Sequence, residues 1–248
     1  MIKSLIASIS VLALGGSWTL FGHTPGSGAG HSSQSRLPPT AHRAPPVLVE
    51  LFQSQGCSDC PPANANLNAI ADRSDVVALS FGVTYWDYLG WKDTFATPQN
   101  TRRQWDYARY NRRGNVATPQ VWIDGRTTIV GSDAQELARA IDAAGFDGPA
   151  LAISGREVRV GGSAAPAGGA DVWAAWYDPR VVQVPIRAGE NGGRTFPHKN
   201  IVRALVKVGH WNGRAASFRL SSAHTGLSTA VFLQASRGGP ILAAAKDS

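Results

Sequence analysis

Two cysteines, the only ones in the 248-residue chain, stand three positions apart in Gly56-Cys57-Ser58-Asp59-Cys60-Pro61-Pro62. The apolar run Val47-Leu48-Val49-Glu50-Leu51-Phe52 precedes them directly. A strand that hands a C-x-x-C to the first turn of a helix is an arrangement for thiol redox chemistry. The helix N-terminus carries about half a positive charge and unpaired N–H groups, so it would stabilise a thiolate at Cys57 and make it a nucleophile near neutral pH. The neighbouring Asp59 opposes that effect, and no cationic residue lies between the cysteines, so the expected depression of the thiol pKa is modest. That favours a reductant or isomerase over a strong oxidant. In the expected cycle Cys57 exchanges with a substrate disulfide and Cys60 resolves the mixed disulfide.

Three other readings of the pair stand beside this one. As a structural disulfide it would close a loop of four residues and restrict the unfolded chain by only roughly 2 kcal/mol. It could also be an inert bridge in a non-catalytic binding module of the cell envelope. With His198 it could form a Cys/His site for Cu(I), since soft ligands select that ion; His23, His31 and His42 are weaker candidates for this.

The elements that must position the pair are legible on both sides of it. Residues 63–70 place Ala65, Leu67, Ala69 and Ile70 at helical spacing, with Pro61 and Pro62 suited to a first turn. Residues 76–83 form an almost unbroken apolar run, as in a central parallel strand covered on both faces. Thr97 reads as the N-cap of a second helix, with Pro98 at its first position and an end before Gly114. Gln120-Val121-Trp122-Ile123, Asp124-Gly125 and Thr127-Thr128-Ile129-Val130 spell a hairpin. Ser132 or Asp133 caps a third helix that runs through Ile141.

Strand, C-x-x-C, helix, strand, helix, Thr118-Pro119, hairpin, helix is the order of a thioredoxin fold, and residues 46–146 resemble a thioredoxin-like domain. The resemblance implies that Pro119 is cis and lies against the cysteine pair, with Thr118 before it. The chain also resembles a family of secreted bacterial thioredoxin-like proteins of unknown function. The residues that carry this are Glu50-Leu51-Phe52-Gln53-Ser54-Gln55-Gly56-Cys57-Ser58-Asp59-Cys60-Pro61-Pro62, Tyr85-Trp86-Asp87-Tyr88-Leu89-Gly90-Trp91-Lys92-Asp93 and Thr118-Pro119-Gln120. Two later blocks, Gly189-Glu190-Asn191-Gly192-Gly193-Arg194-Thr195 and His198-Lys199-Asn200-Ile201-Val202-Arg203, belong to the same likeness.

Tyr85, Trp86 and Trp91 follow the second strand, at the edge where open α/β sheets bind ligands. With Thr118 they would form an apolar wall for a peptide or thiol partner, or else fold inward as core. Asp87 is the acidic residue placed by chain order to take the proton of the second cysteine; like Asp93, it could instead satisfy backbone donors of its own loop.

Residues 149–248 lose the helix signals and turn to short β-rich runs at 170–177, 181–186, 201–208 and 230–233, separated by Gly and Asn-Gly turns. The expected architecture is therefore an α/β thioredoxin-like domain, a mixed sheet with flanking helices, followed by a β-rich sandwich-like region. Glu190, Arg194 and His198 lie in a Gly-rich stretch that would contact a partner or tie its own hairpin through an internal ion pair.

The first 22 residues, with Lys3 before an apolar stretch from Leu5, read as a secretory signal peptide or an uncleaved N-terminal anchor. Residues 23–45 read as a disordered tether. Export to the periplasm or beyond would let the pair exist as a disulfide and would make envelope protein thiols or disulfides the partners. The membrane would enter only through that anchor. The net charge of +7 comes from dispersed arginines, with clusters at Arg102-Arg103 and Arg112-Arg113. It fits solubility or attraction to anionic envelope surfaces, not specific nucleic-acid binding. No G-x-S-x-G, H-E-x-x-H or Walker A sequence occurs, and no cofactor is expected beyond the Cys57–Cys60 disulfide itself.

Overall fold

The computed structural model describes residues 45–145, 148–221 and 224–247. The expected signal or anchor and nearly all of the tether lie outside the described residues. The elements run β1 (Val47–Gln53), α1 (Cys60–Ile70), β2 (Val76–Gly82), α2 (Pro98–Tyr110), β3 (Gln120–Ile123), β4 (Thr127–Ile129) and α3 (Ala134–Asp142). They continue as β5 (Leu151–Ser154), β6 (Glu157–Val160), β7 (Ala170–Asp178), β8 (Val182–Pro185), β9 (Thr195–His198), β10 (Ile201–Trp211), β11 (Ala216–Arg219), β12 (Ser228–Ala235) and β13 (Ile241–Lys246).

Local sequence rules account for the element ends. Thr97 caps α2, its hydroxyl accepting from Asn100 N, with Pro98 next. Asp133 caps α3 by accepting from Gln135 N and Glu136 N. Asp124, at φ 47°, and Gly125, at φ 61°, make the turn between β3 and β4. At Gly125 a Cβ would stand 2.7 Å from the Tyr107 ring, so a side chain is excluded there by space as well as by φ.

The architecture corrects the expectation of a helix-flanked thioredoxin-like domain followed by a β-rich sandwich-like region. A single eight-stranded mixed sheet, in the order β13-β12-β7-β10-β2-β1-β3-β4, runs through both halves of residues 45–247. The described α-helices number three, of 11, 13 and 9 residues. The junction is the free side of β2: Ile201 pairs in parallel with Ser80, and Ser80 N donates to Asn200 O at 2.9 Å. Periodicity correctly marks β2 as apolar on both faces, all seven residues being buried, but it says nothing of which strand completes the side away from β1. In β7 eight of nine residues are buried, so it too is interior to a sheet and cannot be half-solvated as in a sandwich. Small antiparallel sheets, β11-β6-β5 and β8-β9, complete the fold.

Alternation along the strands sorts the core. Leu48, Phe52, Leu79, Phe81, Ala175, Tyr177 and Phe232 share one face with Tyr107 of α2. Val49, Leu51, Ala78 and Val121 face the other way, onto α1 and α3 through Leu67, Leu137 and Ile141. Farther along, Val172, Ala174, Trp176 and Val231 pack on Val158 and Val160 of β6. Arg103, half of an expected surface charge cluster, is instead buried. Its Nε and Nη2 meet Glu50 Oε1 and Oε2 at 2.6 and 2.9 Å, and its Nη1 donates to Gln234 at 3.1 Å. One charged network thus joins α2, β1 and β12. No described helix is long and apolar enough to cross a membrane.

Candidate functional site

β1 ends in a tight loop that carries Cys57, and Cys60 is the first residue of α1. Cys57 N donates to Ser54 O at 3.2 Å and Cys60 N donates to Cys57 O at 3.2 Å, so the loop folds the pair together. Both residues are free thiols, 1% and 2% exposed. The two thiols are electrostatically unequal. A hydrogen bond from Cys60 holds the Cys57 thiol down at about 7; burial opposes this, while Thr118 and the backbone at Asp59 and Cys60 reinforce it. Cys60 goes the other way: burial first, then the adjacent Cys57 sulfur, push its pKa far above the usual thiol range. An attacking thiolate at Cys57 and a protonated partner at Cys60 is the division of labour that thiol exchange needs.

The Thr118–Pro119 peptide is cis. The Cys57 thiol donates to Thr118 O at 3.5 Å, and the Thr118 hydroxyl accepts from Trp86 Nε1 at 2.6 Å. Of the expected aromatic wall, Trp86 therefore stands beside the cysteine loop, and a Cβ on Gly56 would touch it at 3.4 Å. Tyr85 also stays near the pair: its hydroxyl donates to Gln104 at 3.2 Å and interacts with the Thr118 side chain, and burial raises its pKa to about 12. Trp91 reaches the loop from another side, with Nε1 donating to Gln55 Oε1 at 2.9 Å. All three rings are half-buried.

Asp87 Oδ1 accepts from Asp93 N at 3.1 Å, within its own loop. Asp93 is the buried carboxylate that matters to the loop. It accepts from Gln55 N at 2.7 Å and from Phe95 N and Ala96 N at 2.8 and 3.1 Å, knotting the aromatic segment to the cysteine loop.

The strap between β8 and β9 completes the site. Glu190 Oε2 accepts from Ser58 N at 3.0 Å, and Asn191 Nδ2 donates to Gln55 O and Cys57 O at 2.9 and 2.8 Å. The expected internal ion pair of this stretch is absent, because Glu190 serves the cysteine loop while Arg194 donates to Asn191 Oδ1 at 3.1 Å. His198 is buried among Gln53, Phe95 and a small cavity that it shares with Cys60. Among the described residues no cluster of three or more His, Cys, Asp or Glu side chains is arranged to hold a metal. Sequence reasoning passed over Asn191 and Gln55, whose only signal was their presence in the family-like blocks.

The chain is similar, at 32% identity over 83% of its length and 95% of the other's, to protein AGR_C_4864 from Agrobacterium tumefaciens, whose crystal structure superposes with a TM-score of 0.70. HBP35 of Porphyromonas gingivalis is similar at 11% identity, with 83% of this chain and 75% of that chain covered and a TM-score of 0.49. No curated protein matches the chain. The family described as "Protein of unknown function (DUF1223)" matches residues 48–234, and the chain belongs to that family.

Proposed function

We propose that this protein is an exported thiol-disulfide exchange protein that works through Cys57 and Cys60 on protein or small-thiol disulfides of the cell envelope. The observation that carries this is geometric: the loop before α1 folds Cys57 and Cys60 together, with Cys60 N donating to Cys57 O at 3.2 Å and the Cys57 thiol reaching Thr118 O at 3.5 Å, and the opposite pKa directions of the two thiols accord with it. In the reducing direction the Cys57 thiolate attacks a substrate disulfide, forming a Cys57–substrate bond as the first substrate sulfur leaves with the electron pair. Cys60 then attacks Cys57 Sγ, the internal disulfide forms and the second substrate sulfur departs. Two electrons pass from the cysteine pair to the substrate, and the reverse sequence oxidises a dithiol. Redox cysteines of strong oxidants have pKa values near 3.5 and those of reductants near 7, so the Cys57 environment supports the reducing or isomerising end. The N-terminal sequence supports export and an oxidising compartment.

Reduction potential tests the proposal. The pair is equilibrated against glutathione or dithiothreitol buffers and scored by thiol alkylation. A value between roughly −120 and −270 mV is expected, and one below about −300 mV would refute it. The second outcome would favour an inert disulfide in a binding module, a reading that one observation supports: both cysteines lie under the strap, almost without exposure.

A further inference from the structure

Beside Cys60 lies a small cavity lined by Gln53, Cys60, Asn64, Phe196 and His198 among others. It offers the centre of a water molecule about 10 Å³, the room of a single water. Two buried polar atoms of that lining, Asn64 Oδ1 and His198 Nε2, have no hydrogen-bond partner among the described residues. Their residues are 3% and 2% exposed. Buried polar atoms are satisfied almost without exception, and a polar pocket of one-water size is where ordered water goes.

The hydrogen-bond network sets the roles. Gln53 Nε2 donates to Ser80 Oγ at 3.4 Å and contacts His198 Nδ1 at 3.3 Å. With that amide orientation Nδ1 is the acceptor, so the hydrogen of the neutral ring sits on Nε2. Burial keeps His198 neutral, with its pKa lowered to about 4. Asn64 Nδ2 is already engaged with Pro197 O at 2.6 Å, which leaves Oδ1 as a bare acceptor.

We propose that this cavity holds one water that accepts from His198 Nε2–H and donates to Asn64 Oδ1 and to the Cys60 sulfur, so that His198 acts as a positioning residue for the resolving thiolate. The inference rests on the exchange reading above. In the resolving step Cys60 loses its thiol proton and attacks Cys57 Sγ; the Cys57–Cys60 bond forms and the Cys57–substrate bond breaks. The departing substrate sulfur keeps the electron pair and takes up the equivalent of the released proton, so no further reactant is needed. Burial opposes the Cys60 anion more than any other influence, and a water anchored at two points stabilises that anion.

The test uses the full chain, with Cys57 loaded as its mixed disulfide with 5-thio-2-nitrobenzoate. Release of the chromophore by Cys60 is followed against pH. His198→Leu is expected to slow release about tenfold at pH 7 and to move the midpoint of the pH–rate profile upward, while His198→Gln, which restores a donor near the Nε2 position, recovers most of the rate. If circular dichroism shows that His198→Leu does not fold, Asn64→Val is judged by the same two readouts. An unchanged midpoint, or a loss that Gln does not recover, overturns the role of His198 alone. Failure of Cys57 to form the adduct overturns the exchange reading and the water with it.

Discussion

Replacing Cys60 by alanine removes the largest influence that lowers the Cys57 pKa, the hydrogen bond between the two thiols. Cys57 in the reduced protein lies at about 7 against an ordinary 9.0. At pH 6 the thiolate fractions for those two values are about 9% and 0.1%, roughly a 90-fold difference. Nucleophilicity falls with pKa at a Brønsted slope of about 0.4–0.5, which takes back roughly tenfold and leaves a net advantage of about tenfold. The assay is iodoacetamide alkylation of the reduced protein from pH 5 to 10, with the modified cysteine located by peptide mapping. Restricted access under the strap scales the whole curve and leaves its midpoint alone, so the midpoint reports the Cys57 pKa, with the upward push of burial included in it. Reduced protein should titrate near 7 at Cys57, and Cys60→Ala should move the midpoint toward 9 while reaction at pH 6 falls by up to about tenfold. A Cys57 midpoint near 9 in the unaltered protein, or one near 7 that Cys60→Ala leaves in place, would refute the reasoning.

Asn191→Ala removes two hydrogen bonds from the strap to the cysteine loop, at about 1 kcal/mol each, so Cys57 alkylation should rise up to about 30-fold at every pH with its midpoint unmoved. Arg103→Met leaves Glu50 buried without its partner and should lower unfolding stability by about 3–5 kcal/mol in urea, with Cys57 reactivity preserved. Asp124 is a carboxyl raised to about 6 by burial, so the folded state holds its proton more tightly than the unfolded chain does. Stability from this group is present below pH 4 and lost as pH rises through 6. Asp124→Asn, which keeps an acceptor for Leu48 N, should therefore remove that loss, worth at most about 3 kcal/mol at pH 7. Urea midpoints at pH 4.5 and 7.5 check both the sign and the size.

What the sequence displayed was local. Thr97-Pro98, Asp133 and Asp124-Gly125 carry their capping and turn chemistry in adjacent residues, and those boundaries could be read directly. The C-x-x-C was likewise visible, since its two cysteines stand three positions apart at the head of a helix. Strand pairing between β2 and β10 joins residues about 120 positions apart through an Ile201–Ser80 register that no periodicity encodes. Arg103 looked like half of a surface pair because an arginine beside another arginine gives no hint that a glutamate waits across the core. Asp87 and Asp93 were indistinguishable by composition, and only the fold turns Asp93 inward onto Gln55 N. The anchoring role of Asn191 depends on where a hairpin 134 residues downstream of Cys57 comes to rest.

That long-range docking bears on how the cysteines could be reached. Three hydrogen bonds join the strap to the loop over residues 55–58: Glu190 to Ser58, and Asn191 to Gln55 and Cys57. At about 1 kcal/mol net for each, lifting the strap costs about 3 kcal/mol, which corresponds to an open population near 1%. A thiol exposed in one molecule in a hundred reacts about a hundredfold more slowly than an open one, yet it remains within reach of a bound substrate that contributes contacts of its own. A substrate that takes over the backbone groups released by Asn191 would offset much of that cost. The strap would then favour partners presenting a hydrogen-bonding segment over small thiols. A partner lacking such a segment would meet the full hundredfold penalty, so the ratio of the rates toward a protein disulfide and a small disulfide should fall when Asn191 is replaced.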